Sequence, residues 1–116
     1  MTTTLNANAR LEQALLETSD VYVEASVDRD SYLADLAENI RQHRCEPFPI
    51  SATVTPPGFP DVEDGSVISG LCVARNAGYW LVYQPEQDRF YCFWGTKLEA
   101  LSAPGIFGSP LYCWSA

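Results

Sequence analysis

Apolar residues recur at helical spacing in two segments near the N-terminus. The first predicts a helix over residues 9–18, which follows a loose polar start at residues 1–7. The second predicts a helix that is capped by one of residues 28–31, with Asp30 or Ser31 favoured, and that ends before Pro47, whose ring removes a backbone donor. The apolar stripe of the second helix consists of Leu33, Leu36, Ala37 and Ile40. We therefore expect each helix to pack one face on a sheet.

Alternation of apolar and polar positions with a period of two indicates strands in the rest of the chain. Residues 20–27 alternate in this way and favour a half-buried strand, although a continuation of the first helix is the alternative. Further strands are predicted over residues 50–54, 66–74, 79–84, 89–94 and 111–114. Residues 55–65, with three prolines, two glycines and three acids, predict a long loop of the kind that is often functional or disordered.

The two aromatic strands within residues 79–94 predict a hairpin whose pairing can be worked out. A four-residue loop between them pairs Leu81 with Cys92, and a four-residue turn at residues 75–78 pairs Cys72 with Leu81. Cys72 and Cys92 then lie two strand spacings apart, about 9–10 Å. Since a disulfide requires Cα atoms within about 7 Å, this register excludes a bond between these two cysteines.

Both faces of this hairpin are apolar, which does not fit a sheet with one solvated face. One face carries Tyr79, Leu81, Tyr83, Phe90, Cys92 and Trp94, and the other carries Trp80, Val82, Tyr91 and Phe93. If helices cover the first face, the second is either a surface for a partner or a core closed by the loop at residues 55–65 and the C-terminal segment. Because exposed apolar patches mark binding surfaces, Trp80, Tyr91 and Phe93 are predicted as the anchors of an interface.

The order of elements predicts one α+β domain over residues 1–116. Two N-terminal helices are expected to pack on one face of an antiparallel meander sheet of about four to five strands. A chain of 116 residues, 47% hydrophobic and 12% aromatic, suits a single domain with its own core and not a disordered segment.

The net charge of −8 is concentrated in the N-terminal part of the chain. Residues 1–40 carry 8 acids and 2 bases, whereas residues 41–116 carry 7 acids and 5 bases. A field of this sign repels phosphate backbones and anionic lipids, so nucleic acid and membranes are disfavoured partners, and a basic protein surface is favoured. Solubility alone would also explain the charge. The acids predicted to form the rim of the interface are Asp61, Glu63, Asp64, Glu86 and Asp88.

Motifs for catalysis, metals and cofactors are weak. His43 is the only histidine. It lies at a predicted helix end, where a favourable interaction with the helix dipole is enough to explain its presence. The four cysteines form no CxxC pair for zinc, and the acids of residues 61–64 miss the calcium-loop spacing. No GxGxxG or phosphate-binding loop occurs. We therefore predict no catalytic residue, metal or cofactor, and an enzyme using His43 or the loop acids is the weakest alternative.

The sequence as a whole predicts a small acidic interaction or regulatory domain, in the manner of adaptor or immunity proteins. Its expected partner is a protein with a basic surface, and a homodimer is also possible. The N-terminus does not resemble a secretory leader, so reduced thiols and a cytoplasmic location are expected. The main alternative is a small-molecule-binding domain with an aromatic-lined pocket closed by the loop at residues 55–65.

Overall fold

The structure is a computed structural model that describes residues 2–115, with side chains from Ala7 onward. The elements in this range are α1 (Thr2–Ala14), α2 (Arg29–Gln42), β1 (Arg44–Val54), β2 (Val67–Asn76), β3 (Tyr79–Gln84), β4 (Arg89–Trp94), a 3₁₀ turn (Leu98–Ala100), β5 (Ser102–Ala103), β6 (Phe107–Gly108) and α3 (Pro110–Ser115). The predicted α+β class is confirmed. Within the described range, no helix has the length and apolar character needed to cross a membrane.

The two predicted helices are present, with shifted ends. Helix α1 already begins at Thr2, so the predicted loose start is wrong for residues 2–7, and it ends before the predicted Thr18. Helix α2 is capped by Asp28, whose carboxylate accepts a hydrogen bond from the Ser31 backbone N–H at 3.4 Å, and not by Asp30 or Ser31. The capping carboxylate satisfies a donor that the first helical turn leaves unpaired.

Residues 20–27 form no strand, contrary to the expectation from their alternation. Val21 is buried and Tyr22 is 82% exposed, but Ala25 and Val27 are also exposed, so the alternation matches burial only at the start of the segment. The segment takes part in none of the strand pairings within the described residues. Its backbone is held from the side by Arg29, whose guanidinium donates to the carbonyls of Thr18 at 2.7 Å and Val21 at 2.9 Å.

The six strands form a mixed sheet that closes on itself, and not the expected antiparallel meander. The antiparallel pairs are β1–β2, β2–β3, β3–β4 and β4–β5, and a short parallel pair joins β5 back to β1. The parallel contact matches Thr53 with Ser102 and Val54 with Ala103. Strand β6 pairs with β4 beside this ring. Residues 111–114, expected to be a strand, belong instead to helix α3.

Ring closure produces two apolar cores, one on each side of the hairpin. The outer core lies beneath the helices and includes Leu11, Ile40, Leu81, Phe90, Cys92 and Leu111. The inner core lies within the ring and includes Val54, Phe59, Cys72, Trp80, Val82, Tyr91, Phe93 and Ala103. The division of the hairpin into two faces is therefore as predicted. Both faces are apolar because one meets helices and the other fills the ring.

The predicted interface anchors are residues of the inner core. Trp80 is 8% exposed, Tyr91 1% and Phe93 0%, so no exposed aromatic face exists there for a partner. The ring of Phe59, from the loop at residues 55–65, packs edge-on against Tyr91 at a centroid distance of 5.4 Å. The structure thus corrects the prediction of an exposed face in favour of a core that this loop helps to close, whereas the C-terminal helix packs in the outer core.

The register of the hairpin is confirmed, but that of the preceding strand pair differs. Leu81 pairs with Cys92, as expected. Cys72 pairs with Val82 instead of Leu81 for two reasons. The two-residue turn of Ala77 and Gly78 pairs Ala74 with Leu81, and a bulge between Cys72 and Ala74 then shifts the pairing by one residue. Both residues of this turn have positive φ, as in the tight turns that suit hairpin twist. Cys72 therefore faces the inner core and not the row predicted for it.

Strand β1 begins at Arg44, although Pro47 and Pro49 lie within it. The pairing with β2 slips between Arg44 and Phe48, and β1 contacts β5 only at Thr53 and Val54. Proline is tolerated in strands at bulges and along unpaired edges, because its missing donor is not needed there. The predicted strand at residues 50–54 is thus the end of a longer one.

Replacement of Gly70 tests the close contact between β2 and β3. A Cβ atom at this position would lie 2.6 Å from Val82 Cγ1 and 2.8 Å from the Tyr83 carbonyl oxygen. We expect Gly70→Ala to lower the free energy of unfolding by about 1–3 kcal/mol, because overpacking must be relieved by displacement of β3. Urea denaturation measures the change, and Ser69→Ala on the same strand is the control. Equal stability of the two variants would contradict the tight contact.

Candidate functional site

A surface cleft of about 550 Å³ lies where α2, α3 and the β2–β3 turn meet. We call it the α2–α3 cleft. Its lining residues are Tyr32, Asp35, Leu36, Asn39, Asn76, Ala77, Tyr79 and Trp114. The lining combines three aromatic rings with one carboxylate and two side-chain amides, a mixture typical of ligand and interaction sites.

Helix α2 supplies half of the lining through its own periodicity. Tyr32, Asp35, Leu36 and Asn39 are spaced i, i+3, i+4, i+7, which places them on one face of the helix. The neighbouring face carries Ala37 and Ile40, which are buried in the outer core. The helix therefore packs one row of side chains into the outer core and lines the cleft with the neighbouring row.

Trp114 and Asn39 close one end of the cleft together. The indole Nε1 donates a hydrogen bond to Asn39 Oδ1 at 2.7 Å. Because the amide oxygen is used in this way, the two N–H donors of Asn39 are the part of the group suited to a ligand. The Asn39 backbone carbonyl lies 2.8 Å from His43 Nδ1, and the His43 ring is 6.0 Å from that of Trp114. His43 thus contacts two residues that line the cleft, Asn39 and Trp114, and these contacts suit a structural role.

The β2–β3 turn supplies the opposite wall. Asn76 ends β2 and Tyr79 begins β3, so the two-residue turn brings both beside α2. Tyr79 stacks on Trp94, with ring centroids 5.9 Å apart and planes 21° from parallel. This stacking fixes the orientation of the Tyr79 ring at the edge of the cleft.

A second concavity of about 340 Å³ adjoins the first and shares Tyr32 with it. We call it the outer cleft, and the two together the Tyr32 groove. Its lining is Tyr22, Val23, Glu24, Val27 and Tyr32. Tyr22 is 82% and Val27 43% exposed, which is unusual for apolar side chains so close to one another. The groove therefore extends from the cleft along the segment that precedes α2.

The groove lies in the most acidic part of the chain. Residues 24–38 contain five acids, Glu24, Asp28, Asp30, Asp35 and Glu38, against the single base Arg29. The guanidinium of Arg29 is engaged with backbone carbonyls, as described above. The field at the groove is therefore negative and attracts cationic groups.

The acids predicted as an interface rim lie elsewhere. Asp61 accepts a hydrogen bond from Arg89 at 3.3 Å, and Asp88 accepts one from Arg10 at 2.8 Å. Glu86 is exposed in the β3–β4 turn, and Glu63 and Asp64 are exposed in the loop at residues 55–65. The turn is separated from the α2–α3 cleft by the six residues of β3, about 17–20 Å. These acids therefore surround neither an aromatic face nor the cleft.

Asp88 and Tyr83 form a small hydrogen-bonded network with Arg10. The Arg10 guanidinium and then the Tyr83 hydroxyl, which donates at 2.7 Å, hold the pKa of Asp88 below its usual value. Burial, followed by the bond to this carboxylate, raises the pKa of Tyr83 to about 12. The network connects α1 to the β3–β4 turn, so Asp88 has a structural role.

No group of three or more His, Cys, Asp or Glu side chains is arranged to hold a metal ion in the described part of the chain. Comparison of the chain with protein-family models, curated proteins and solved structures finds no match. The geometry and charge of the Tyr32 groove are therefore the observations that bear on function.

The groove was not predicted from the sequence, although the part of it that lies on α2 follows a pattern in the sequence. The polar and aromatic stripe from Tyr32 to Asn39 is visible as a second helical period beside the apolar one. Trp114 and Asn76 gave no such signal, because they reach the cleft only through the tertiary fold. Tyr79 was correctly placed on the face beneath the helices, but its position at the edge of that face was not foreseen.

Substitution of Asp88 by asparagine tests the network with Arg10. Asparagine tolerates the positive φ of this position, 51°, so the change removes charge without backbone strain. We expect a loss of about 0.2–1 kcal/mol in the free energy of unfolding at pH 7, since the ion pair is exposed. Because the folded pKa of Asp88 is lowered, the difference persists above the unfolded value of about 3.9 and disappears as pH falls through the folded pKa.

Urea denaturation across acidic and neutral pH measures this difference. Glu86→Gln is the control, because Glu86 is an exposed acid of the same turn. A difference between the wild type and Asp88→Asn that does not change down to the lowest pH would show that the charge of Asp88 does not contribute.

Proposed function

We propose that this protein is an interaction domain that receives a basic segment of a partner protein in the Tyr32 groove. The observation that carries the proposal is the convergence of Tyr32, Tyr79 and Trp114 with the Asp35 carboxylate around one cleft. Aromatic faces and a carboxylate together favour an arginine or lysine side chain, through cation–π attraction and an ion pair.

The pairing of acids distinguishes this groove from the surfaces around Asp61, Asp88 and Glu12. Asp61, Asp88 and Glu12 each form ion pairs with arginines of the same chain. In the part of the chain that the structure describes, neither Glu24 nor Asp35 has such a pair. Their charges are therefore available to a partner, whereas those of the paired acids are largely compensated.

The shape of the groove supports a polypeptide ligand. The outer cleft continues the α2–α3 cleft past Tyr32 and adds the exposed side chains of Tyr22 and Val27. An extended segment could place a basic residue in the α2–α3 cleft and an apolar one against Val27. Such anchors, surrounded by weaker contacts, are typical of protein interfaces.

Titration with short synthetic peptides tests the proposal. We expect an arginine-rich peptide to bind, an acidic peptide of equal length not to bind, and binding to weaken with salt. The chemical shifts of backbone amides should change around the Tyr32 groove and not in the β3–β4 turn. Absence of binding, or changes spread over all acidic surfaces, would overturn the proposal.

Two variants with a matched control sharpen this test. Tyr32→Ala should lower the affinity about tenfold or more, because it removes the wall shared by both clefts. Asp35→Asn should lower it less and reduce its dependence on salt. Glu86→Gln changes the net charge by the same amount at the opposite end of β3 and should leave the affinity unchanged. An equal loss in Asp35→Asn and Glu86→Gln would indicate an effect of net charge alone.

A small molecule in the α2–α3 cleft is the second candidate. The cleft volume of about 550 Å³ falls within the range of ligand pockets, about 300–1,000 Å³. In this case the amide donors of Asn39 would orient the ligand, and the outer cleft would not take part. Loss of binding in Asn39→Ala, with unchanged affinity in a Val27→Ala variant of the outer cleft, would favour this alternative.

A further inference from the structure

Two of the four cysteines are in direct contact on neighbouring strands. Cys45, on β1, and Cys72, on β2, have their sulfur atoms 3.8 Å apart. Cys45 Sγ also lies 3.7 Å from the Cys72 carbonyl oxygen. A disulfide has a sulfur–sulfur distance of about 2.05 Å, so rotation of the two side chains must shorten the present distance by somewhat less than 2 Å.

An irregularity in strand pairing creates this contact. Arg44 pairs with Ala74 and Phe48 with Cys72, so four steps along β1 match only two along β2. The two extra residues make β1 bulge, which directs a side chain out of the regular alternation. Cys45 therefore reaches the sulfur of Cys72, although the two residues are not partners in the ladder.

The other two cysteines have different surroundings. Cys113 Sγ lies 3.6 Å from the Phe90 carbonyl oxygen, and Cys92 Sγ accepts a hydrogen bond from Trp94 Nε1 at 3.1 Å. Both are buried in the outer core. Of the four thiols, Cys45 is the one that is not fully buried. It is therefore the thiol that a reagent in solution meets first.

We propose that Cys45 and Cys72 are a redox-modification site, at which a low-molecular-weight disulfide oxidises the two thiols to a reversible intramolecular disulfide. This inference is independent of the Tyr32 groove. It differs from the sequence-based expectation of reduced thiols, in which an even cysteine count only weakly favoured disulfides and the register excluded a bond between Cys72 and Cys92.

The reaction proceeds as two thiol–disulfide exchanges. The Cys45 thiolate attacks one sulfur of the small disulfide RSSR, forms a mixed disulfide and expels one thiolate RS⁻. Cys72 then loses its proton to solvent and attacks Cys45 Sγ, and the second RS⁻ leaves. Two protein thiols are oxidised by two electrons in total, and RSSR is reduced to two molecules of RSH. A reducing thiol in excess reverses both steps.

The second exchange is expected to limit the rate. Burial is the largest cause that raises the pKa of the Cys72 thiol, and it persists when Cys45 is held in the mixed disulfide, so little thiolate is present at neutral pH. Closure should therefore become faster as the pH rises. The bond would close the loop of residues 45–72 and restrict the unfolded chain, which raises the midpoint of thermal unfolding.

Incubation of the native chain in buffers of oxidised and reduced glutathione tests the proposal. We expect the number of free thiols to fall from four to two, with the intact mass lower by two hydrogen atoms. Peptide mapping without reduction should link Cys45 to Cys72, and addition of reduced glutathione should restore both thiols. Cys45→Ser should abolish the intramolecular bond, whereas Cys92→Ala should retain it.

Three results would overturn the proposal. The first is the retention of all four thiols in the folded chain under oxidising conditions. The second is a stable mixed disulfide on Cys45 that does not proceed to Cys72. The third is a bond that maps to another pair. Mapping is carried out on the wild type, so the test does not depend on how well either variant folds.

Discussion

Closure of the strand ring between β1 and β5 is the constraint on which the remaining structure depends. Only two residue pairs make this parallel contact, reinforced by hydrogen bonds from the Thr53 N–H to the Leu101 carbonyl and from the Thr55 N–H to the Ala103 carbonyl, each 3.1 Å long. Because the ring closes, the sheet gains an interior that aromatic side chains can fill, and the paired edges are no longer open. The apolar surface that an open hairpin would expose is buried during folding, so binding surfaces must lie on the outer elements.

Features set by residues that are close together in the sequence could be predicted, whereas ring closure could not. The pairing of Leu81 with Cys92 follows from one hairpin loop, and the buried stripe of α2 follows from helical periodicity. Strand β5 has two residues, too few for any periodic pattern, and its partner in β1 is about fifty positions away. Without this contact the inner face of the hairpin could be assigned either to a partner or to a core closed by the loop at residues 55–65 and the C-terminal segment. The choice of Trp80 and Phe93 as exposed anchors was therefore wrong for a topological reason and not a chemical one.

The candidate site combines local and distant contributions in a similar way. Tyr32 and Asn39 belong to one helical stripe, which the sequence contains in full. Trp114 reaches Asn39 across 75 positions of sequence and does so only because α3 returns to the outer core. A polar stripe beside an apolar one is ordinary on a surface helix. Its role in the cleft becomes visible only when an aromatic residue from elsewhere closes one end.

The distribution of ion pairs separates structural acids from those available to a partner. Arg10, Arg41, Arg44 and Arg89 each pair with an acid of another element or loop. These pairs connect α1 to the sheet and to α2, and the loop at residues 55–65 to the sheet. The excess of acids over bases is thereby left mainly in the segment before α2 and in its first turns. The net charge of −8 is thus concentrated in one region of the surface and is not spread evenly over it. A negative field beside the partly exposed ring of Tyr32 favours the approach of a cationic side chain from this side of the molecule.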